Sequence, residues 1–182
     1  AKYCNDKLLS EACELTLPYY RQEYVPADIA EQWRLQNPKA FVAVLNSKDV
    51  MCSCFGILSL TDAFWDSFIR GRLTDTQLRA HDILPFTSCR TAERLYLSGV
   101  VVRDPRTIYS AKRLRVMIWV MLIYLKQIYG LRKTRTLYAL AVNEDSRRLL
   151  NGLGFSILSD SRHRADKCDL FIYTLTKENW RN

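Results

Sequence analysis

Hydrophobic patterning is strongest between Leu95 and Phe155, and the rest of the chain can be read outward from that stretch. Leu95 to Val102 is an apolar run rich in β-branched and aromatic residues, with a glycine inside it. That composition suits a buried strand carrying a bulge. Arg103-Asp104-Pro105-Arg106 ends the run, since proline cannot continue a central strand. From about Ala111 to Tyr129 the apolar positions are those of a long helix, with Ser110 available as its cap and Gly130 as its stop. Thr136 to Val142 reads as a second strand, and Asn143 and Ser146 lead into a short helix ending at Gly154-Phe155. This βαβα order predicts two parallel strands joined by a crossover helix.

Before that unit, Lys7 to Leu17 places Leu8, Leu9, Ala12, Cys13 and Leu15 on a helical face, and Pro18 is expected to end the helix. Pro26 sits at the first turn of a second helix, Ala27 to Gln36, which Asn37-Pro38 stops. Ala40 to Leu45 and Val50 to Leu60 form a hairpin across the polar turn Asn46-Ser47-Lys48-Asp49. Residues 61–92 break the β rhythm. Asp62 to Arg70 and Thr74 to Arg79 read as short helices, the latter capped by Thr74 or Asp75, and Ile83 to Phe86 as an apolar loop. Phe64, Trp65 and Phe68 crowd one of these helices; they are expected to pack on the core, the alternative being a lid over an apolar ligand. After Phe155 come a short strand to Leu158, a polar loop from Ser159 to Lys167, and a last strand from Asp169 to Leu175.

At 182 residues, with 48% hydrophobic and 25% charged positions, the chain is expected to form a single soluble domain over 1–182. The longest apolar run, Val116 to Leu125, is ten residues, half of a membrane span. No basic-then-apolar leader opens the chain, and the six cysteines contain no Cys-x-x-Cys pair. Reduced thiols and a cytoplasmic setting are the expectation. With only His81 and His163 to help, no metal site is expected. The net charge of +8 is either a solvated surface or an attraction to something acidic, such as a phosphorylated cofactor or an acidic carrier protein. Basic residues cluster at Arg103 to Arg115 and at Arg132 to Arg135, without a nucleic-acid motif beside them, so a nucleic-acid partner is not expected.

The order of elements, together with three local patterns, resembles the GNAT acyltransferase superfamily. Asn143-Glu144-Asp145-Ser146-Arg147-Arg148-Leu149-Leu150-Asn151-Gly152-Leu153-Gly154-Phe155 is similar to that family's Asn-x-x-small-x-x-Leu-Tyr-x-x-x-Gly-Phe segment. Arg106-Thr107-Ile108-Tyr109-Ser110-Ala111 is similar to its pyrophosphate loop, with Tyr109 standing in place of a glycine. Leu95 to Val102 resembles the strand that splays from its parallel neighbour at a bulge, for which Ser98-Gly99 is the candidate. The resemblance covers about Ala27 to Leu175; either Ala1 to Cys4 is the family's first strand or that strand is absent.

What the resemblance implies is an α/β (α+β mixed sheet) fold of six to seven strands flanked by helices, with a helical insertion at about 61–92. It implies an N-acyltransferase that moves an acyl group, acetyl by default, from acyl-coenzyme A to a primary amine by direct attack on the thioester. The expected donor-binding residues are Val100, Val101, Val102, Arg106, Tyr109, Ser110, Ala111, Asn143 and Ser146, with Arg103, Lys112 and Arg113 as further sources of charge. Glu93 is the candidate base. The family's proton-donating tyrosine is replaced by Leu150, so Tyr138 is taken as the substitute, with Tyr96 and Tyr173 behind it and His163 as another possible base. The departures at Tyr109 and Leu150 leave two alternatives open: a donor on acyl carrier protein, or a GNAT-fold protein that binds a ligand or partner without turnover.

Overall fold

Two strands, β4 (Arg94–Val102) and β5 (Arg135–Ala141), form the only parallel pair of a seven-stranded sheet in a computed structural model that describes residues 1–20, 24–104, 110–130 and 133–176. Helix α5 (Ser110–Tyr129) crosses between them, as the periodicity predicts. On the β4 side the sheet continues antiparallel through β3 (Met51–Leu58), β2 (Phe41–Leu45) and β1 (Lys2–Tyr3). On the β5 side it continues through β7 (Asp169–Leu175) to β6 (Ser156–Ser159). The candidate first strand is therefore present, paired with β2 through Tyr3 and Val42.

Both faces of the sheet are buried, and the period-two alternation of side chains sorts them. Leu95, Leu97, Leu137 and Ala139 face α5 and α6 (Glu144–Gly152), while Tyr96 and Tyr138 face the opposite layer. That layer holds α1 (Asp6–Tyr20), α2 (Ala27–Gln36), and α3 (Asp62–Ile69), the first helix of the segment between β3 and β4. Two short 3-10 turns and α4 (Phe86–Cys89) complete that segment. Phe64, Trp65 and Phe68 are buried in the core, Trp65 packing 4.8 Å from Tyr138 between ring centres, so they are not a lid.

Three expectations are corrected, the first being that Thr74 to Arg79 is a short helix: the segment holds 3-10 turns at Asp75–Gln77 and Ala80–Asp82 instead. Pro18 does not end the first helix; α1 runs on to Tyr20 with Pro18 inside its last turn. A proline there removes one helical donor and crowds the carbonyl four residues earlier, yet the helix continues for two more residues. The two extra residues, Tyr19 and Tyr20, are carried to the centre of the sheet. The second strand of the hairpin also stops at Leu58 rather than Leu60.

Candidate active site

The site begins with a mismatch in the ladder between β3 and β4. Gly56 pairs with Gly99 and Ile57 with Leu97, so Ser98 has no opposite residue and forms a bulge. The extra residue shifts the alternation: Leu95 and Leu97 face α5 before it, Val100 and Val102 after it. Gly56 makes room for this. A Cβ there would strike the Ser98 hydroxyl and the Phe41 ring, the latter at 2.8 Å.

Past the bulge, β4 and β5 part. Their pairing runs from Arg94 and Thr136 to Leu97 and Ala139 and stops there. Each strand stays zipped to its outer neighbour, β4 to β3 as far as Val102 and β5 to β7 as far as Ala141. The result is a fork inside an otherwise continuous sheet. Its interior, about 590 Å³ of space continuous with solvent, is lined mainly by apolar side chains, among them Leu97, Met117, Met121, Leu149 and Leu150. The mouth, about 1010 Å³, opens beside the first turn of α5.

The mouth gathers residues far apart in sequence. Val100, Val101, Val102, Ser110, Ala111, Asn143 and Ser146 all line it. Arg106 and Tyr109 lie outside the described residues. At one rim the starting N–H groups of α5 and its dipole face the opening, an arrangement that favours anions. At the other, Asn143 caps α6: its side-chain oxygen accepts from Ser146 N–H at 2.9 Å while its own N–H donates to the Ser146 hydroxyl at 3.0 Å. The Asn143 carbonyl side chain thus serves the helix. Arg103 and Arg113 are likewise engaged, Arg103 with Glu11 at 2.7 Å and the Met51 carbonyl at 2.6 Å, Arg113 with the Arg103 carbonyl at 2.7 Å. Lys112 is exposed on the first turn of α5.

The proposed acid and base from sequence do not reach the fork. Glu93 is exposed at the start of β4, about 17 Å of strand from Ser98. It lies at the closed end, where buried Arg135 donates to the carbonyls of Ala92, Arg90 and Tyr129, the last residue of α5. Tyr138 points into the layer of α3 and is buried against Trp65. His163 is exposed on a 3-10 turn, and Tyr173 stacks on Phe155 at 5.2 Å. Leu150 lines the fork and offers no group that could donate a proton.

Two residues missed by sequence reading stand in the fork instead. Val100 N–H donates to the Tyr20 hydroxyl at 3.3 Å. Burial, the largest cause, pushes the Tyr20 phenol up to about 12 despite that bond. Asp75, 3% exposed, comes from the 3-10 turn that Thr74 caps and accepts from the Tyr96 hydroxyl at 2.7 Å. Burial and then the charge of Asp75 hold the Tyr96 phenol well above its ordinary range. The sequence had marked Asp75 only as a possible cap, and Tyr20 lay beyond a proline read as a stop. No local pattern flagged either.

Among the described residues no group of three or more His, Cys, Asp or Glu side chains could hold a metal ion, and no helix is long and apolar enough to cross a membrane. No protein-family model and no curated protein matches this sequence. Solved structures do match. The chain is similar to a GphF GNAT-like decarboxylase in complex with isobutyryl-CoA, with 12% identity over 96% of this chain and 98% of that one and a TM-score of 0.62. It is similar to Chaetomium thermophilum Naa20 in complex with a bisubstrate analogue, with 13% identity over 100% and 88% and a TM-score of 0.56. An acetyltransferase of the GNAT family from Listeria monocytogenes matches at 11% identity over 96% and 93%, with a TM-score of 0.54. With its mixed seven-stranded sheet flanked by helices, the chain has the GNAT fold.

Proposed function

We propose that the protein is an N-acyltransferase, of the acetyl class, that takes its acyl group from acyl-coenzyme A and delivers it to a primary amine by direct attack on the thioester. The observation that carries this reading is the fork. An apolar slot beside unpaired strand edges suits a pantetheine arm, whose amides need backbone partners while its thioester needs to be kept from water. The first turn of α5 would meet the phosphates, with Lys112 adding charge. The isobutyryl-CoA in the GphF decarboxylase structure accompanies the same fold and supports an acyl-coenzyme A ligand, and the bisubstrate analogue in the Naa20 structure supports the transfer reading.

Acyl transfer asks for an acid near the departing sulfur. Tyr20 is the hydroxyl best placed for it: it accepts from Val100 N–H and keeps its own O–H proton to donate. In this reading the family's donor on α6 has been exchanged for one on α1, since Leu150 offers nothing. The enzyme is a single domain working in the cytoplasm.

A second reading, a GNAT-fold protein that binds without turnover, is favoured by Tyr20 occupying the Val100 amide and by Leu150. Thiol release from acetyl-coenzyme A across a panel of amines separates the two. Native mass spectrometry with acetyl- and long-chain acyl-coenzyme A and with acyl carrier protein identifies the donor. Release supports the transferase, binding without release supports the second reading, and binding to none removes the transferase.

A further inference from the structure

Beneath α1 lies a second cavity, about 610 Å³ of space continuous with solvent, between α1, α2 and the sheet. It shares Tyr20, Ser98 and Gly99 with the fork interior, so the two spaces meet at the bulge. Gly99 keeps that junction open: a Cβ there would meet the Tyr20 hydroxyl at 3.6 Å, an ordinary contact. Beyond it the wall is largely carbon, from Leu9, Ala12, Ala30, Trp33 and Phe55.

Polar groups on this wall are turned to the protein itself. The Thr16 hydroxyl donates to the Cys13 carbonyl at 2.8 Å, the Trp33 indole N–H to the Leu78 carbonyl at 3.2 Å, and Asp75 accepts from the Tyr96 hydroxyl at 2.7 Å. Three thiols, Cys4, Cys13 and Cys54, belong to the same wall. Burial pushes Cys4 up to about 12, Cys13 up to about 11 and Cys54 higher still, so all three are neutral at pH 7. Such a wall gives a charged or hydroxylated ligand little in return for its lost water, whereas hydrocarbon gains by entering.

Resting on the reading of the fork as the slot for acyl-coenzyme A, we propose that this cavity receives the acyl chain of the donor, so that the protein takes linear, uncharged groups such as butyryl and hexanoyl as well as acetyl. A pantetheine arm entering at the mouth carries its thioester to the junction, where Tyr20 lines the mouth, the fork interior and the cavity alike. An acetyl group ends there. A longer chain has two ways on: back along the fork interior, which the arm itself fills, or past Gly99 into the cavity. Only the second buries methylenes without displacing the arm. Each methylene so buried is worth up to about fourfold in affinity. A chain ending in a carboxylate, as in succinyl, would lose its water against the same carbon and is disfavoured.

The test measures dissociation constants by calorimetry for acetyl-, butyryl-, hexanoyl- and succinyl-coenzyme A. It uses the wild type, Ala30→Leu and Ala12→Leu, each variant checked for folding by its urea midpoint. In the wild type, hexanoyl-coenzyme A is expected to bind about 10-fold or more tightly than acetyl-coenzyme A, and succinyl-coenzyme A about 10-fold more weakly than butyryl-coenzyme A. Either leucine, by filling the cavity, should weaken hexanoyl binding by about 10-fold and leave acetyl binding within about threefold. A readout on the wild type alone uses hexanoyl-coenzyme A carrying a terminal diazirine, irradiated in the complex and mapped by peptide mass spectrometry. Label on α1 and α2 supports the proposal; label confined to α5 and α6 overturns it, whether or not the variants fold. Equal affinity for acetyl- and hexanoyl-coenzyme A also overturns it, as does a chain-length gain that survives in a folded variant; both leave the donor reading standing. A wild type that binds none of the four thioesters overturns the donor reading and this one together.

Discussion

The backbone N–H of Val100 donates to the hydroxyl of Tyr20 at 3.3 Å, across 80 residues of chain, inside the gap where β4 has left β5. A strand that gives up its ladder must satisfy its amides some other way. Here a phenol from α1 does so on the wall of the fork. Among the described residues, Tyr20 carries the one hydroxyl that lines the mouth, the fork interior and the cavity beneath α1 together.

Tyr20→Phe separates chemistry from occlusion. With Tyr20 as the proton donor, kcat falls by about 100-fold while the dissociation constant for acetyl-coenzyme A stays within about threefold. Because burial pushes the phenol up to about 12, it stays protonated throughout the working range. The wild type should therefore show no alkaline loss of kcat below pH 10. Tighter donor binding and faster turnover in Tyr20→Phe would instead identify the phenol as a plug.

Gly56 and Gly99 face each other across the bulge but differ in what a methyl group would meet. At Gly99 the nearest atom is the Tyr20 hydroxyl at 3.6 Å, an ordinary contact; at Gly56 the Ser98 hydroxyl and the Phe41 ring are in the way. Gly56→Ala should cost about 1–3 kcal/mol by overpacking and weaken donor binding by closing the bulge. Gly99→Ala should change stability by less than about 1 kcal/mol. Urea unfolding alongside calorimetry with acetyl-coenzyme A measures both.

A buried ion pair ties the β3–β4 segment to the turn before β7. Arg164 holds Asp166 with bonds of 3.1 and 2.6 Å and donates to the Phe68 carbonyl at 2.8 Å. Asp166→Ala leaves the guanidinium buried without its carboxylate and should destabilise by about 3–5 kcal/mol, read as a lower urea midpoint. Replacing both residues with apolar ones of similar volume should recover much of that loss.

Thiol reactivity should follow burial. All six cysteines are free, five of them buried and Cys52 partly exposed. With Cys4 held up at about 12, only about one part in 10⁴ is thiolate at pH 8, before any limit on access. Iodoacetamide at pH 8 should label Cys52 first in the folded protein and the other five only in urea, as followed by peptide mass spectrometry. Rapid labelling of Cys4 or Cys13 would show that the cavity they line beneath α1 admits polar reagents.

Much of the scaffold was legible in the residues. Pro26 and Asn37 bracket α2 at the predicted bounds, Asn46 and Asp49 make the hairpin turn, and Asn143, Ser146 and Gly154 bound α6 as expected. These are local effects, decided by caps, turns and period, and a linear chain carries them. Even the Ser98-Gly99 bulge was readable, because a glycine in an apolar strand asks for a reason. Glu93 and Tyr138 were chosen on the same local grounds, a carboxylate beside the key strand and a tyrosine in the next. Position along a strand, however, does not say which end opens.

From its sequence alone this protein has its order of elements, its mixed sheet and the residues that line the mouth of the fork, since caps and alternation act over a few residues. Only tertiary structure decided what stands inside. Tyr20 arrives because α1 tolerates Pro18 in its last turn, and Asp75 because α3 and its turn fold back over β4. Each is placed by packing between segments remote in sequence, a balance of burial and hydrogen bonding that no window of neighbouring residues contains.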